Sequence, residues 1–431
     1  MSVVSQHVVG SESFFSKSSG IGGKLRKAAD DFVVDEVVSI PGRSHWIWMQ
    51  ENQSGKHQIV KIKAKNWDTH VLVKELSRKL GIGLKSIGFA GTKDKRAVTN
   101  QHFSIRTSVD KLSVLDLENI ELAFQHSSIK PIRLGNLVGN KFKIKVTNSS
   151  NSENKIKDIF SELDGFFPNY FGVQRFGSVR PITHIVGEKI VHGDYEGAVL
   201  DYLTLGSPNF AGHEGREYLL ETRDFVKSLD KFPRHMLFER QLLGHLSRNK
   251  DDFTGAILQL PESLSKMLVH GYQSLIFNKV LDMRIREGMD ACFPQIGDLV
   301  MPADGYGGPD QRVTIEVTER NQSKLSKRCR EGKAWVAGLL PGAKSTFSKG
   351  RQGELEKEIM DDLGVKFEDF IIDDIPELSS YGMYRPLFQK YNDIKVDFDS
   401  GNPVFSFWLH KGTYATSFLR EIMKSLDVTV Y

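Results

Sequence analysis

Cysteine is almost absent: Cys292 and Cys329 are the only two in 431 residues, so neither a disulfide framework nor a multi-cysteine metal site can be built. A reducing compartment is the expectation. Long hydrophobic runs are missing as well. No stretch approaches ~18 consecutive apolar residues, and Met1 to Lys24 holds no apolar block of signal-peptide type. A soluble, cytoplasmic protein with no membrane partner is therefore expected. Charge of one sign is not in excess, since 58 Lys and Arg face 54 Asp and Glu; the resulting +4 permits a polyanionic partner without requiring one. The common cofactor and metal motifs are missing too. GIGGKL, Gly20 to Leu25, fails as a phosphate loop because Ser18 and Leu25 stand where glycine and a hydroxyl residue are needed. The thirteen histidines form no H-E-x-x-H and no H-x-E with C-x-x-C. There is no G-x-S-x-G elbow and no strand, G-x-G-x-x-G and helix unit. No metal is predicted, and what remains must use ordinary side chains.

Aromatic residues, in contrast, are plentiful. With 27 Phe, 11 Tyr and 5 Trp the chain has ample material for large cores, and its length suggests two domains, one possibly inserted in the other. Basic residues gather at Lys24, Arg26 and Lys27, at Lys93, Lys95 and Arg96, and at Lys130, Arg133, Lys141, Lys143 and Lys145. FVVDEVV, Phe32 to Val38, reads as a strand whose alternation puts Phe32, Val34 and Glu36 on one face, where an acid needs a partner. Further strands are predicted at His45 to Gln50, Gln58 to Ala64, Ile87 to Ala90 and Gln101 to Ile105. A basic half-exposed strand is predicted at Gly139 to Val146. Asp68 or Thr69 can cap a helix running to Leu80, with Gly81 as its stop. NSSNSEN, Asn148 to Asn154, is a polar linker leading into a helix with Ile156, Ile159, Phe160 and Leu163 on its core face. Beyond Gly177 the texture turns helical, with an apolar stripe around Tyr272 to Arg286 and short strands near Asp298 and Val313. PVFSFWL, Pro403 to Leu409, then restores β character before a helix from Ala415 to Lys424. The expected organisation is 1–190 as the first part of one domain, 191–385 as an inserted α+β domain and 386–431 as the C-terminal part of the first. There is no internal repeat.

The segment GFAGTKDKRAVTNQ sets Asp94 at a turn just after a short apolar strand, where a carboxylate can project from rigid scaffold into a cleft. Lys93, Lys95 and Arg96 beside it favour its ionised form and attract phosphates. A turn-capping aspartate among solvated lysines fits the same residues, and locally both readings stand.

This segment resembles the signature of the TruD family of pseudouridine synthases, G-x-K-D-x-x-A-x-T-x-Q, which Gly91, Lys93, Asp94, Ala97, Thr99 and Gln101 reproduce. Other segments agree in family order. Arg26, Asp30, Asp31, Phe32 and Glu36 are similar to the N-terminal motif, with Ala29 where the family usually has proline. LGNLVGNKFKI, Leu134 to Ile144, resembles the family's basic strand, and NYFGVQRFG, Asn169 to Gly177, its hallmark turn. GTYATSFLREI, Gly412 to Ile422, resembles its C-terminal helix, with Tyr414 where Phe also occurs. QSLIFNKVLDMR, Gln273 to Arg284, and ERQLLGHL, Glu239 to Leu246, are similar to the inserted domain of the archaeal and eukaryotic branch.

The resemblance implies an α/β (α+β) fold: a pseudouridine synthase catalytic domain with a mixed, mainly antiparallel sheet flanked by helices, plus the inserted α+β TRUD domain. It implies a tRNA partner, a basic cleft, and isomerisation of a uridine, uridine 13 of the D-stem in the family, without cofactor or metal. The oligomeric state is left open and a monomer is compatible. Asp94 would be the nucleophile or charge stabiliser, and Arg26 would pair with it. Lys93 would contribute to substrate binding, Phe32, Phe171 and Tyr414 would form a stacking platform for the flipped base, and Asn169 would meet a uracil edge or orient a loop. Gln174 and Arg175 would brace the turn. Two rivals share the basic and aromatic segments: a non-catalytic RNA-binding assembly factor, and a base-exchanging tRNA transglycosylase, which usually brings a structural metal and a barrel pattern.

Overall fold

The computed structural model describes residues 6–39, 55–93, 95–150, 153–177, 180–206, 210–290 and 292–431. Asp94 and the strand expected at His45 to Gln50 therefore lie outside the described residues, as do two residues of the polar linker. The chain divides into two compact units. The first is Ser16–Phe167 with Lys390–Ser425 and Val430–Tyr431; the second is Pro168–Gln389 with Leu426–Thr429 and the described residues of Met1–Phe15.

In the first unit β-branched and alternating segments become strands: β1 Phe32–Val38, β2 His57–Lys65, β3 Ile87–Phe89, β4 Val98–Ile105, β5 Ile120–Ser128 and β6 Leu137–Lys145. Helix α1, Thr69–Leu80, follows β2. Asp68 caps it by accepting the N–H groups of His70 and Val71, at 2.8 and 3.2 Å, and Gly81 ends it in the left-handed region at φ 65°. Its stripe of Leu72, Leu76 and Leu80 packs on Val60, Ile62, Phe103 and Ile105 of β2 and β4. Strand β4 begins at Val98, three residues before the expected start, because its first residues pair with β1. Helix α2, Glu153–Leu163, buries Ile156, Ile159 and Leu163.

The second unit begins beyond Phe167. Its helices include α3 Thr183–Val191 and the 25-residue α4 Glu262–Arg286. Strands β7 Leu299–Pro302, β8 Ile315–Glu316 and β9 Ala334–Leu340 follow, with helix α5 Gln322–Arg330 between the last two. Helix α6, Gly350–Asp362, and strand β10, Met383–Pro386, complete the elements used below. The strands form an antiparallel sheet in the order β10-β9-β7-β8, and β9 is buried along its whole length. Arg284 of α4 holds both oxygens of Asp298 at 3.0 and 2.8 Å, a fully buried pair that anchors the helix beside β7. The expected boundaries at 190 and 385 differ from the observed ones. Residues 168–190 belong with the second unit because α3 packs closely along α4, where a Cβ on Gly271 would lie 2.8 Å from Thr183 Cγ2.

The chain then returns to the first unit as β11, Asn392–Asp399, and β12, Asn402–His410, followed by helix α7, Ala415–Met423. Among the described residues the first unit's sheet has eight strands, ordered β11-β12-β6-β1-β4-β2-β5 with β3 on β4. It is mixed and mainly antiparallel, as expected: β1 and β4 run parallel and the other pairs antiparallel. Phe418 of α7 joins Phe160, Phe167, Tyr391 and Phe407 in an aromatic cluster with centroids 4.7–6.2 Å from its own ring. No described helix is long and apolar enough to cross a membrane.

Candidate active site

Strand β1 ends its pairing with β4 at Asp35 and Asn100. The next residue, Glu36, has no exposed side-chain surface, and it takes up what the ladder leaves unpaired: its Oε2 accepts the His102 N–H at 3.0 Å. Its Oε1 accepts from Lys93 Nζ at 2.9 Å, on a lysine whose side chain is only 8% exposed. The acid that alternation turned inward thus has its partner in the loop between β3 and β4. Buried ions need such pairing to offset desolvation, so the contact pins the loop to the sheet.

A second tie starts at Thr69. Because Asp68 serves as the helix cap, the buried Thr69 hydroxyl is left to accept the Lys93 N–H at 2.8 Å and donate to Gln101 Oε1 at 3.2 Å. Gln101 in turn donates from Nε2 to Gly91 O at 3.1 Å. The loop residues on the N-terminal side of Asp94 are therefore held at Gly91 O, at Lys93 N–H and at Lys93 Nζ. Sequence reasoning noted Thr69 only as a possible cap; no local pattern could show a hydroxyl facing a loop 24 residues away.

On the other side of Asp94, Arg96 Nη2 donates to Arg26 O at 3.1 Å. Arg26 has a left-handed backbone, φ 57°, a conformation a β-carbon disfavours. Its guanidinium lies 4.2 Å from the centroid of Phe32 and its Nη1 donates to Tyr431 O at 3.3 Å. Phe32 is buried, with Phe142 against it edge-on at 6.3 Å. Arg26 and Phe32 thus stand at the start of β1 and are joined to Arg96, whereas Lys93 meets the strand at Glu36, four residues further along. Tyr414 is the half-buried residue before the first turn of α7, where its carbonyl accepts from Ser417 and Phe418.

Asn169 and Phe171 belong to the second unit. Asn169 is fully buried, donates from Nδ2 to Pro386 O at 2.9 Å, and accepts at Oδ1 from Arg385 Nη2 at 2.7 Å. Phe171 is buried between Arg385, whose guanidinium is 4.1 Å from the ring centroid, and Phe277 at 5.5 Å edge-on. Asn278 of α4 clamps its backbone, accepting the Phe171 N–H at 2.8 Å and donating to its carbonyl at 3.0 Å. Arg175 ties the following turn to α4 through Ser274 Oγ at 3.0 Å. Arg385 and Asn278, more than 100 residues along the chain, were not legible as partners.

A sequence model of the tRNA pseudouridine synthase D (TruD) family matches residues 8–422. A Methanosarcina barkeri protein named "Probable tRNA pseudouridine synthase D" is 37% identical to the chain, with 96% of each covered. A Pyrococcus furiosus protein of the same name is 36% identical, covering 97% of this chain and 99% of that one. The crystal structure of a Methanosarcina mazei chain assigned to tRNA pseudouridine synthase D (TruD) superposes with a TM-score of 0.84 at 36% identity, covering both chains completely. A likeness that spans both units, together with a signature loop tied down at Glu36, Thr69 and Gln101, leads to one conclusion: the chain belongs to the TruD family of tRNA pseudouridine synthases.

Proposed function

We propose that this chain isomerises uridine 13 of tRNA to pseudouridine in the cytoplasm, with Asp94 as the reacting carboxylate. The reaction breaks the bond between uracil N1 and ribose C1′, turns the base, joins C5 to C1′ and releases the C5 proton, so no atom is gained or lost overall. It calls for an anionic group at a flipped nucleotide, whether that group attacks C1′, attacks C6 or assists a glycal route. The observation that carries the reading is the family match from residue 8 to residue 422.

The contacts of the other candidate residues suit each of them to a particular part. Lys93 is spent on Glu36, so its part is to fix the loop while its positive charge stays near the substrate's phosphates. Arg26 and Phe32 form a stacked pair joined to the same loop through Arg96, which suits them to orient Asp94 and line the nucleotide site. Tyr414 adds an aromatic ring at the start of α7. With the amide of Asn169 taken up by Pro386 and Arg385, its part is to hold the NYFG segment in shape, and Phe171, packed on Arg385 and Phe277, anchors the same segment. The test is turnover of an unmodified tRNA transcript: Asp94→Asn should abolish pseudouridine formation at position 13, and full activity in that variant would remove the nucleophile assignment.

A further inference from the structure

Helix α5 carries an excess of positive charge that the fold does not use. Residues 319–333 hold six basic residues against two acidic ones, a local +4 equal to the formal charge of the entire chain. Lys333 pairs with Glu331 at 2.8 Å, whereas Arg320, Lys324, Lys327, Arg328 and Arg330 form no ion pair with a described residue. The helix is anchored by Leu325 and Cys329, which are buried, and it turns Lys324, Lys327 and Arg330 outward. Lys324, Lys327 and Arg328 follow i, i+3, i+4 spacing, which places them as neighbours about 5–6 Å apart along the helix. Like charges at this spacing repel weakly, and an anion bound between them would relieve that repulsion.

A second observation says what kind of anion. Beside α5 lies an open cleft of about 390 Å³ lined by Phe293, Ser323, Lys327 and Arg330 and, on the acidic side, by Glu331, whose carboxylate is taken up by Lys333. Phe293 is 45% exposed, and the Arg330 guanidinium stands 5.3 Å from its ring centroid, so aromatic and cation form one ledge. The backbone at Phe293 is held, for Asp290 Oδ1 accepts the N–H groups of Cys292 and Phe293 at 2.6 and 2.8 Å. An acidic peptide would use the cations but has no need of the ring. An RNA duplex would use the cations but offers no free base face. A single strand uses both, stacking a base on the ring and setting its phosphates on the cations.

We propose that α5 and the Phe293 loop form a second RNA-binding surface, which holds an unpaired nucleotide of the substrate RNA by stacking its base on Phe293 and its flanking phosphates on Lys327 and Arg330. This rests on the reading of the chain as an enzyme acting on RNA. The surface adds affinity without touching the reacting uridine, so its loss appears in KM rather than kcat.

The test uses the full chain with a Lys327→Gln/Arg330→Gln variant and, separately, Phe293→Ala, measured against an unmodified tRNA transcript and a ten-residue oligouridylate. The double variant should raise KM for tRNA roughly 10-fold and make the slope of log affinity against log salt shallower by about 1.4, the contribution of two single-strand phosphate contacts. Phe293→Ala should weaken oligouridylate binding roughly 10-fold with the salt slope unchanged, as stacking is not ionic. Unaltered KM and salt slope in an enzyme that converts tRNA would overturn the surface, and so would polyglutamate competing as well as oligouridylate. If the wild-type protein converts no tRNA uridine yet the variants still lose oligouridylate, the functional reading falls and the surface stands.

Discussion

Glu36 and Lys93 tie the loop between β3 and β4 to the sheet through a single buried pair. Their oxygen and nitrogen lie 2.9 Å apart with almost no solvent access, so removing one partner leaves the other as an uncompensated buried charge. Glu36→Gln should therefore cost about 3 kcal/mol in urea denaturation, the low end of the range for breaking a buried pair, and should lower kcat as the loop loosens. The double variant Glu36→Leu/Lys93→Met removes both charges and should recover part of that stability, less the acceptor that the His102 N–H loses, while remaining slow. Recovery of both stability and rate would show that the pair has no positioning role. The inward acid was legible in the sequence because FVVDEVV alternates. Its partner was not, since 57 residues separate them and nothing local marks Lys93 as turned inward. Thr69 illustrates the same boundary: local chemistry left two capping candidates, and only the fold showed that the one spared from capping reaches the loop.

Among elements, α3 and α4 approach through glycine. A Cβ on Gly187 of α3 would fall well inside contact distance of Leu268 O, and one on Gly271 of α4 would meet Thr183 Cγ2 at 2.8 Å and His184 N at 3.2 Å. Backbone cannot yield as a flexible side chain can, so Gly187→Ala should destabilise the second unit by about 3 kcal/mol, the upper end for overpacking. A thermal unfolding curve indistinguishable from the wild type would contradict the close approach. Strands with one buried face were readable: β1, β2 and β6 lie within two residues of their expected ends. Strands β5 and β11 went unread because they form the two edges of the sheet, and edge strands lack a continuous apolar face. The start of β4 was also missed, since AVT continues the polar loop in composition and becomes a strand only by pairing with β1.

Across the whole molecule, the composition and the interrupted β character of the chain indicated a discontinuous arrangement, but the residues at which it divides depend on long-range partners. The NYFG segment belongs with the second unit because Tyr170 donates to Asp282 and Phe171 is clamped by Asn278, contacts more than 100 residues long in sequence. The same unit contains His184, whose burial, with Lys279 nearby, depresses its pKa to about 4. A folded-state value below the unfolded value of about 6.5 means that stability is present above pH 6.5 and is lost as pH falls toward 4, because the unfolded chain binds the proton first. That loss should reach roughly 3 kcal/mol, and His184→Leu, of similar volume, should lack it. Urea midpoints at pH 7 and pH 4.5 test this: parallel shifts in the two proteins would place the acid sensitivity elsewhere.

The central claim is that Asp94 performs an isomerisation on a uridine of tRNA. Its most direct test is carbodiimide-detected mapping of pseudouridine at single-nucleotide resolution in total RNA from cells that lack the protein, with either the wild-type chain or Asp94→Asn restored. A signal at tRNA position 13 with the wild type and none with Asp94→Asn is the predicted result. An equal signal with both chains, or no tRNA signal with either, would contradict it.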